Sequence, residues 1–170
     1  LIQFSDLIQK SAGKPVEKVY SPDMPGTPGS PADIVKGRFK IAKSDEEKRL
    51  VFGWASVSMR VDGEVIEDWQ DDIVEPGELE HAAYEYVLLY RDGSEMHERG
   101  GVASLVESVV FTEEKMKAIG IPEGTLPVGW WIGFKVLDEE VWEKVKDGTY
   151  SMFSIEGTAE RVEADDETDI

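Results

Sequence analysis

The sequence predicts a mainly β fold with flanking helices, an α+β chain whose antiparallel or mixed sheet closes into a barrel-like core. Three observations predict it. Runs rich in β-branched and aromatic residues recur between position 51 and about 162. The helical patterns between them are short. No unit of strand followed by long helix repeats, as a parallel α/β sheet requires. With 170 residues, 41% of them hydrophobic, the chain suffices for one core, since a domain takes about 100 to 200 residues.

Residues 1–45 read as a flexible, proline-rich N-terminal arm. The run "YSPDMPGTPGSPADI" sets Pro22, Pro25, Pro28 and Pro31 three apart, which favours an extended polyproline-like segment and withholds backbone donors from a sheet. Aromatic grooves recognise the same period, so a docking peptide for a partner is the alternative. A barrel domain follows over 46–163. Val51 to Val61 alternates and is followed by the turn signal "VDGE", so it forms a hairpin with Glu64 to Ile66. After Pro76, Leu79, Ala82, Ala83, Tyr86 and Leu89 stand at helical spacing, with Glu78 and Glu80 in the first turn. "GVASLVESVVF" predicts a strand with Ala103, Leu105, Glu107, Val109 and Phe111 on one face. Thr112 caps a short helix to about Ala118. "VGWWIGFKVLD" is a strand whose two glycines imply a bulge, a bend or a close backbone approach. "DEEVWEKVKDG" is a helix starting at Asp138 with Gly148 at its end. "TYSMFSIEGTAERV" is the last strand, and residues 164–170 form an acidic tail.

Composition removes several function classes. The chain has 36 acidic and 18 basic residues, a formal charge of −18, and no cluster of Lys and Arg to track a phosphate backbone, so no nucleic-acid partner is expected. It has no cysteine, hence no disulfide frame, thiol nucleophile or thiolate zinc site. No run reaches the roughly 18 apolar residues of a membrane helix, and "LIQFSDLIQKSAGKP" lacks the leader and apolar run of a signal peptide. A start at Leu1 rather than Met admits a fragment or a processed product. No HExxH helix and no glycine-rich loop ending in Gly-Lys-Ser or Gly-Lys-Thr occurs. Asp68, Asp71 and Asp72 lack the spacing of a calcium loop and read as a solvated turn. Neither a metal nor a cofactor is expected.

Two histidines are available as a base. His81 lies inside the first helix and reads as a packing or surface residue. His97, in "YRDGSEMHERGGVAS", stands between a turn and a strand beside Gly100 and Gly101, where a side chain can project freely. Ser154, in "DGTYSMFSIEG", is the nucleophile candidate and Ser108 its rival. An imidazole near neutral pKa takes the proton as a serine hydroxyl attacks a carbonyl, and a third group fixes the imidazole tautomer. The 57-residue separation of His97 and Ser154 neither supports nor opposes such a pair.

The stretches "VFGWASVS", "DWQDDIVEPGELEHAAYEYV", "MHERGGVASLVESVVFTEEKM", "LPVGWWIGFKV" and "VWEKVKDGTYSMFSIEG" together resemble the phage prohead-protease group typified by XkdF-like proteins, distant relatives of the herpesvirus capsid-assembly serine protease. The resemblance implies an antiparallel barrel flanked by helices. It implies a serine endopeptidase that cleaves scaffold and major capsid protein precursors, and itself, within the assembling prohead in the host cytoplasm, as a homo-oligomer. It maps the base to His97 and the nucleophile to Ser154, with Glu156 standing where many relatives have glycine. Relatives carry the third residue on a later strand, past the end of this chain at Ile170. Glu107 is the substitute expected here, because an acid aligned with Leu105 and Val109 is costly to bury unless paired; the alternative is an ordinary acid at an exposed position in the strand. The competing reading is a catalytically inactive structural or scaffold-associated prohead protein of the same fold. A generic interaction module with a proline-rich arm is a third.

Overall fold

The computed structural model describes residues 2–3, 9–10, 39–67, 72–156 and 161–162. In chain order the elements are β1 (Ile2–Gln3), β2 (Gln9–Lys10), β3 (Phe39–Asp45), β4 (Leu50–Met59), α1 (Pro76–Leu89), β5 (Asp92–Glu95) and β6 (Arg99–Phe111). They continue with α2 (Glu113–Ala118), β7 (Val128–Val136), α3 (Glu139–Lys146), β8 (Met152–Phe153), β9 (Ile155–Glu156) and β10 (Arg161–Val162). The proline period at 22–31 and the tail at 164–170 lie outside the described residues. The expected arm boundary at 45 is corrected: β3 pairs antiparallel with β4, Ile41 against Gly53 and Asp45 against Leu50, so the sheet begins by Phe39.

The main sheet runs in the order β8-β3-β4-β7-β6-β5-β1-β9. Its pairs are antiparallel except β1 with β9. It is a curled half-barrel, and with three helices among the described residues the fold is mainly β of the α+β class. Its two ends, β8 and β9, are halves of one segment parted by Ser154.

Local chemistry accounts for most boundaries. Pro76 sits in the first turn of α1, where its missing N–H costs nothing. Thr112 Oγ1 accepts from Lys115 N at 3.2 Å to cap α2, and Asp138 Oδ1 accepts from Val141 N at 3.0 Å to cap α3. The expected strand at Glu64–Ile66 is reduced to isolated bridges, Met59 with Val65 and Glu67 with Ile73, after a turn closed by Arg60 N donating to Glu64 O. The expected last strand is broken, and β5 was not anticipated, because Asp-Gly-Ser-Glu holds no strand former and is drawn into the sheet by pairing with β6. Leu89 is 64% exposed, a departure from its expected core position.

The core lies where α1 covers β4, β6 and β7. Leu79, Ala82, Ala83 and Tyr86 meet Val51, Ala55, Val110, Trp130, Ile132 and Phe134, all buried. Tyr86 packs edge-on to Trp130 with centroids 5.6 Å apart and donates to Asp92 O at 2.7 Å, so a core ring reaches the start of β5. Burial pushes its phenol pKa up. Phe153, buried beside Ser154, has its ring centroid 5.9 Å from that of Phe134. The glycines of β7 allow close approach, as expected: a Cβ on Gly133 would stand 2.6 Å from Phe52 Cδ1 and 3.1 Å from Glu107 Cβ.

Polar contacts pin the β5–β6 turn to α3 and to the chain entering β8. Glu95 Oε1 accepts from Tyr150 Oη at 2.7 Å and Lys144 Nζ at 2.5 Å, while Oε2 accepts from Arg99 Nη2 at 2.9 Å and Nε at 3.1 Å. Arg99 Nη1 reaches Asp138 Oδ2 at 2.8 Å, which joins the turn to the α3 cap. Lys144 first and Tyr150 second, with Arg99 adding, hold the Glu95 carboxyl down at about 2 against partial burial. A depressed carboxyl pKa gives stability that is complete above the unfolded value, 4.5, and lost as pH falls toward 2.

Two outcomes follow for stability. Gly133→Ala should lower unfolding free energy by about 1 to 3 kcal/mol in denaturant titration, because Phe52 or the β4–β7 pairing has to shift. A neutral result would mean that Phe52 yields freely. The stability difference between the natural chain and Glu95→Gln should shrink as pH is lowered from 4.5 to 2. A pH-independent difference would show that the ionised carboxylate is not what the network binds.

Candidate functional site

The β5–β6 turn carries His97, and its backbone is unusual. Met96 and His97 have φ of 52° and 59°, two consecutive non-glycine residues in the left-handed region. Each such residue costs on the order of 1 kcal/mol or more and persists where surrounding contacts over-determine it. The turn closes through Glu98 N donating to Glu95 O at 3.0 Å. The paired flanks, Glu95 against Arg99, fix where the imidazole emerges.

Across from it, the last segment changes partners. Phe153 pairs with Phe39, and Ile155 pairs with Ile2. Ser154 stands between the two pairings with its side chain exposed. Ser151 O accepts from Ile41 N at 2.8 Å, and Tyr150 N donates to Lys144 O at 2.9 Å, so the approach to the serine is anchored on both β3 and α3.

His97 Nε2 lies 3.3 Å from Ser154 Oγ. That is at the loose end of hydrogen-bond reach, as nucleophile and base pairs are before substrate binds. With the proton on Nδ1, Nε2 accepts from the hydroxyl. In that tautomer the imidazole can take the hydroxyl proton during attack.

The other expected residues lie elsewhere. Glu107 has its side chain exposed, as the alternative reading of an ordinary strand acid has it, and accepts from Trp131 Nε1 at 2.8 Å. It is eight residues along β6 from Arg99, some 25 Å at strand rise. The expected alternation fails because the register shifts between Leu105 and Glu107, leaving Val106 51% exposed. Ser108 accepts from Trp130 Nε1 at 2.9 Å, so it serves the core indole. His81 is on the surface of α1, 3.7 Å from Glu85, as expected of it. Asp72 is 1% exposed, against its expected place in a solvated turn, while Asp68 and Asp71 lie outside the described residues.

Sequence reasoning missed Glu95 together with its partners Lys144, Tyr150 and Arg99. Lys144 and Tyr150 are 49 and 55 residues away, and no spacing rule links them. The nearest arginine to His97 directs its guanidinium to Glu95 and Asp138, so Arg99 is engaged within the scaffold. Among the described residues no group of three or more His, Cys, Asp or Glu could hold a metal ion, and no helix is long and apolar enough to cross a membrane.

Comparison with known proteins adds the family. The chain is 31% identical over 124 residues to "Uncharacterized protein YqbD" of Bacillus subtilis (strain 168), covering 72% of this chain and 35% of that protein. It is 28% identical over 126 residues to "Phage-like element PBSX protein XkdF" of the same organism, covering 74% of this chain and 42% of that protein. The chain thus spans about a third to two-fifths of the length of these curated relatives. No solved structure matches it. Residues 38–163, which take in every strand of the main sheet but β1 together with His97 and Ser154, match the family described as "Putative phage serine protease XkdF", and the chain belongs to that family.

Proposed function

We propose that the chain is the protease domain of a phage capsid-maturation enzyme, a serine endopeptidase with Ser154 as nucleophile and His97 as base. The observation that carries this reading is the 3.3 Å approach of Nε2 to Oγ across 57 residues of sequence. The family name supports a phage serine protease in general terms.

In the proposed reaction Oγ attacks the scissile carbonyl carbon while its proton passes to Nε2. The tetrahedral oxyanion collapses, the C–N bond breaks, and the imidazolium returns the proton to the leaving amine. Water, deprotonated by the same nitrogen, then cleaves the acyl ester and restores the serine. Ser154 lies at the seam of the sheet with its side chain exposed, so an extended substrate can reach it. Backbone N–H groups are the proposed oxyanion donors, since Arg99 is engaged with Glu95 and Asp138. The substrates proposed are scaffold and major capsid protein precursors, met inside the assembling prohead by a homo-oligomer of the enzyme. The fold proposed is that of the prohead protease and herpesvirus assembly protease group.

A second reading is a catalytically inactive structural protein of the prohead. The position of Glu107, bound to Trp131 and remote along β6, favours it by leaving the third role unfilled by the residue expected there.

Incubation with the co-encoded scaffold and capsid precursors separates the two. The natural chain should cleave, and Ser154→Ala and His97→Ala should each lose about 10²-fold or more of that rate. Cleavage by all three forms would remove the pair from the mechanism. Cleavage by none, including the protein at its relatives' full length, would establish the inactive reading.

A further inference from the structure

We propose that Glu95 is the positioning residue of the site, holding the His97 turn against the segment that carries Ser154; this rests on the reading of that pair given above. The two oxygens of its carboxylate divide the task. Oε2 takes both Nε and Nη2 of Arg99, two residues after His97, and so closes the turn on itself. Oε1 takes Tyr150 Oη, four residues before Ser154, and Lys144 Nζ from α3. One side chain therefore touches both flanks of the histidine turn and the approach to the serine.

The backbone explains why such a residue is needed. Met96 and His97 are both left-handed, and a turn in that state relaxes unless its surroundings hold it. Each contact that removes this freedom narrows the distribution of Nε2 around Oγ, and a displacement of about 1 Å can cost on the order of 10²-fold in rate. Charge-assisted bonds from a guanidinium and an ammonium suit the purpose, because they are roughly twice as strong as neutral ones. The α3 end of the network is fixed independently by the Asp138 cap, which also accepts from Arg99. Relaxation of the turn thus works against a braced helix rather than a free lysine.

The chain supplies its own control. Glu80 accepts from Tyr84 Oη at 2.8 Å and pairs with Lys115, whose Nζ also contacts Tyr84 Oη at 2.6 Å. This second cluster of acid, lysine and tyrosine joins α1 to α2 and includes neither residue of the pair. Loss of an ion pair as such is therefore separable from loss of positioning.

The test reads the His97 imidazole by NMR titration in the intact 170-residue chain, with His81 as internal reference. Ser154→Ala should move the His97 midpoint by about 0.3 units or more in the natural chain. The same change should fall below about 0.1 units in a Glu95→Gln background and stay at full size in a Glu80→Gln background. An undiminished serine response in Glu95→Gln overturns the proposal. Absence of a response in the natural chain overturns it too, since there is then no pair to position. If Glu95→Gln does not fold, Tyr150→Phe, which deletes one bond of the network, decides by the same criterion: a reduced response supports the proposal and a full one overturns it. A response that depends on Glu95 in a protein that cleaves no precursor would sustain the positioning role while the protease reading fails.

Discussion

The segment Met152–Glu156 has to serve both ends of the sheet, and Ser154 is where it changes partner. β8 completes the edge beyond β3, while β9 meets β1 at the other edge. This return is possible because the sheet curls, helped by β7 glycines that admit Phe52 and the β4 backbone where any side chain would intrude. Phe153 then anchors the segment from below through Phe134, and Phe134 itself packs edge-on to Tyr86 in the cluster under α1. The serine is thus presented by the core, with Phe153 buried, Ile155 partly buried and its own hydroxyl left outside.

The histidine is presented differently. Its turn is left-handed at two successive positions, and what holds it is polar: Glu95, Arg99, Lys144 and Tyr150 bound in one network that also reaches the α3 cap. Ser154 is thus seated by apolar packing and His97 by charged and polar contacts. The two meet at 3.3 Å where the β5–β6 turn comes up to the residue that parts β8 from β9.

What was legible in the sequence was local. The caps at Thr112 and Asp138, the apolar stripe of α1 from Leu79 to Tyr86 and the need for glycine in β7 each depend on a few neighbouring residues, and each is found in place. β5 was not legible, since it is a strand only by virtue of its partner. The alignment of Glu107 with Leu105 presupposes an unbroken register along β6, whereas the shift after Leu105 turns it outward, where Trp131 donates to it. His97 and Ser154 stand out in the sequence as candidates, but their pairing rests on the family resemblance, and no periodicity predicts their approach. Glu95 carried no signal at all, because its importance lies in partners some fifty residues away.

The central claim is that His97 activates Ser154. The most direct measurement is the rate at which a fluorophosphonate forms a covalent adduct with the chain, followed by intact mass and located by peptide mapping. A single adduct on Ser154, forming about 10²-fold or more slowly in His97→Ala, is the predicted result. An adduct at another serine, or one on Ser154 that forms equally fast without His97, would contradict it.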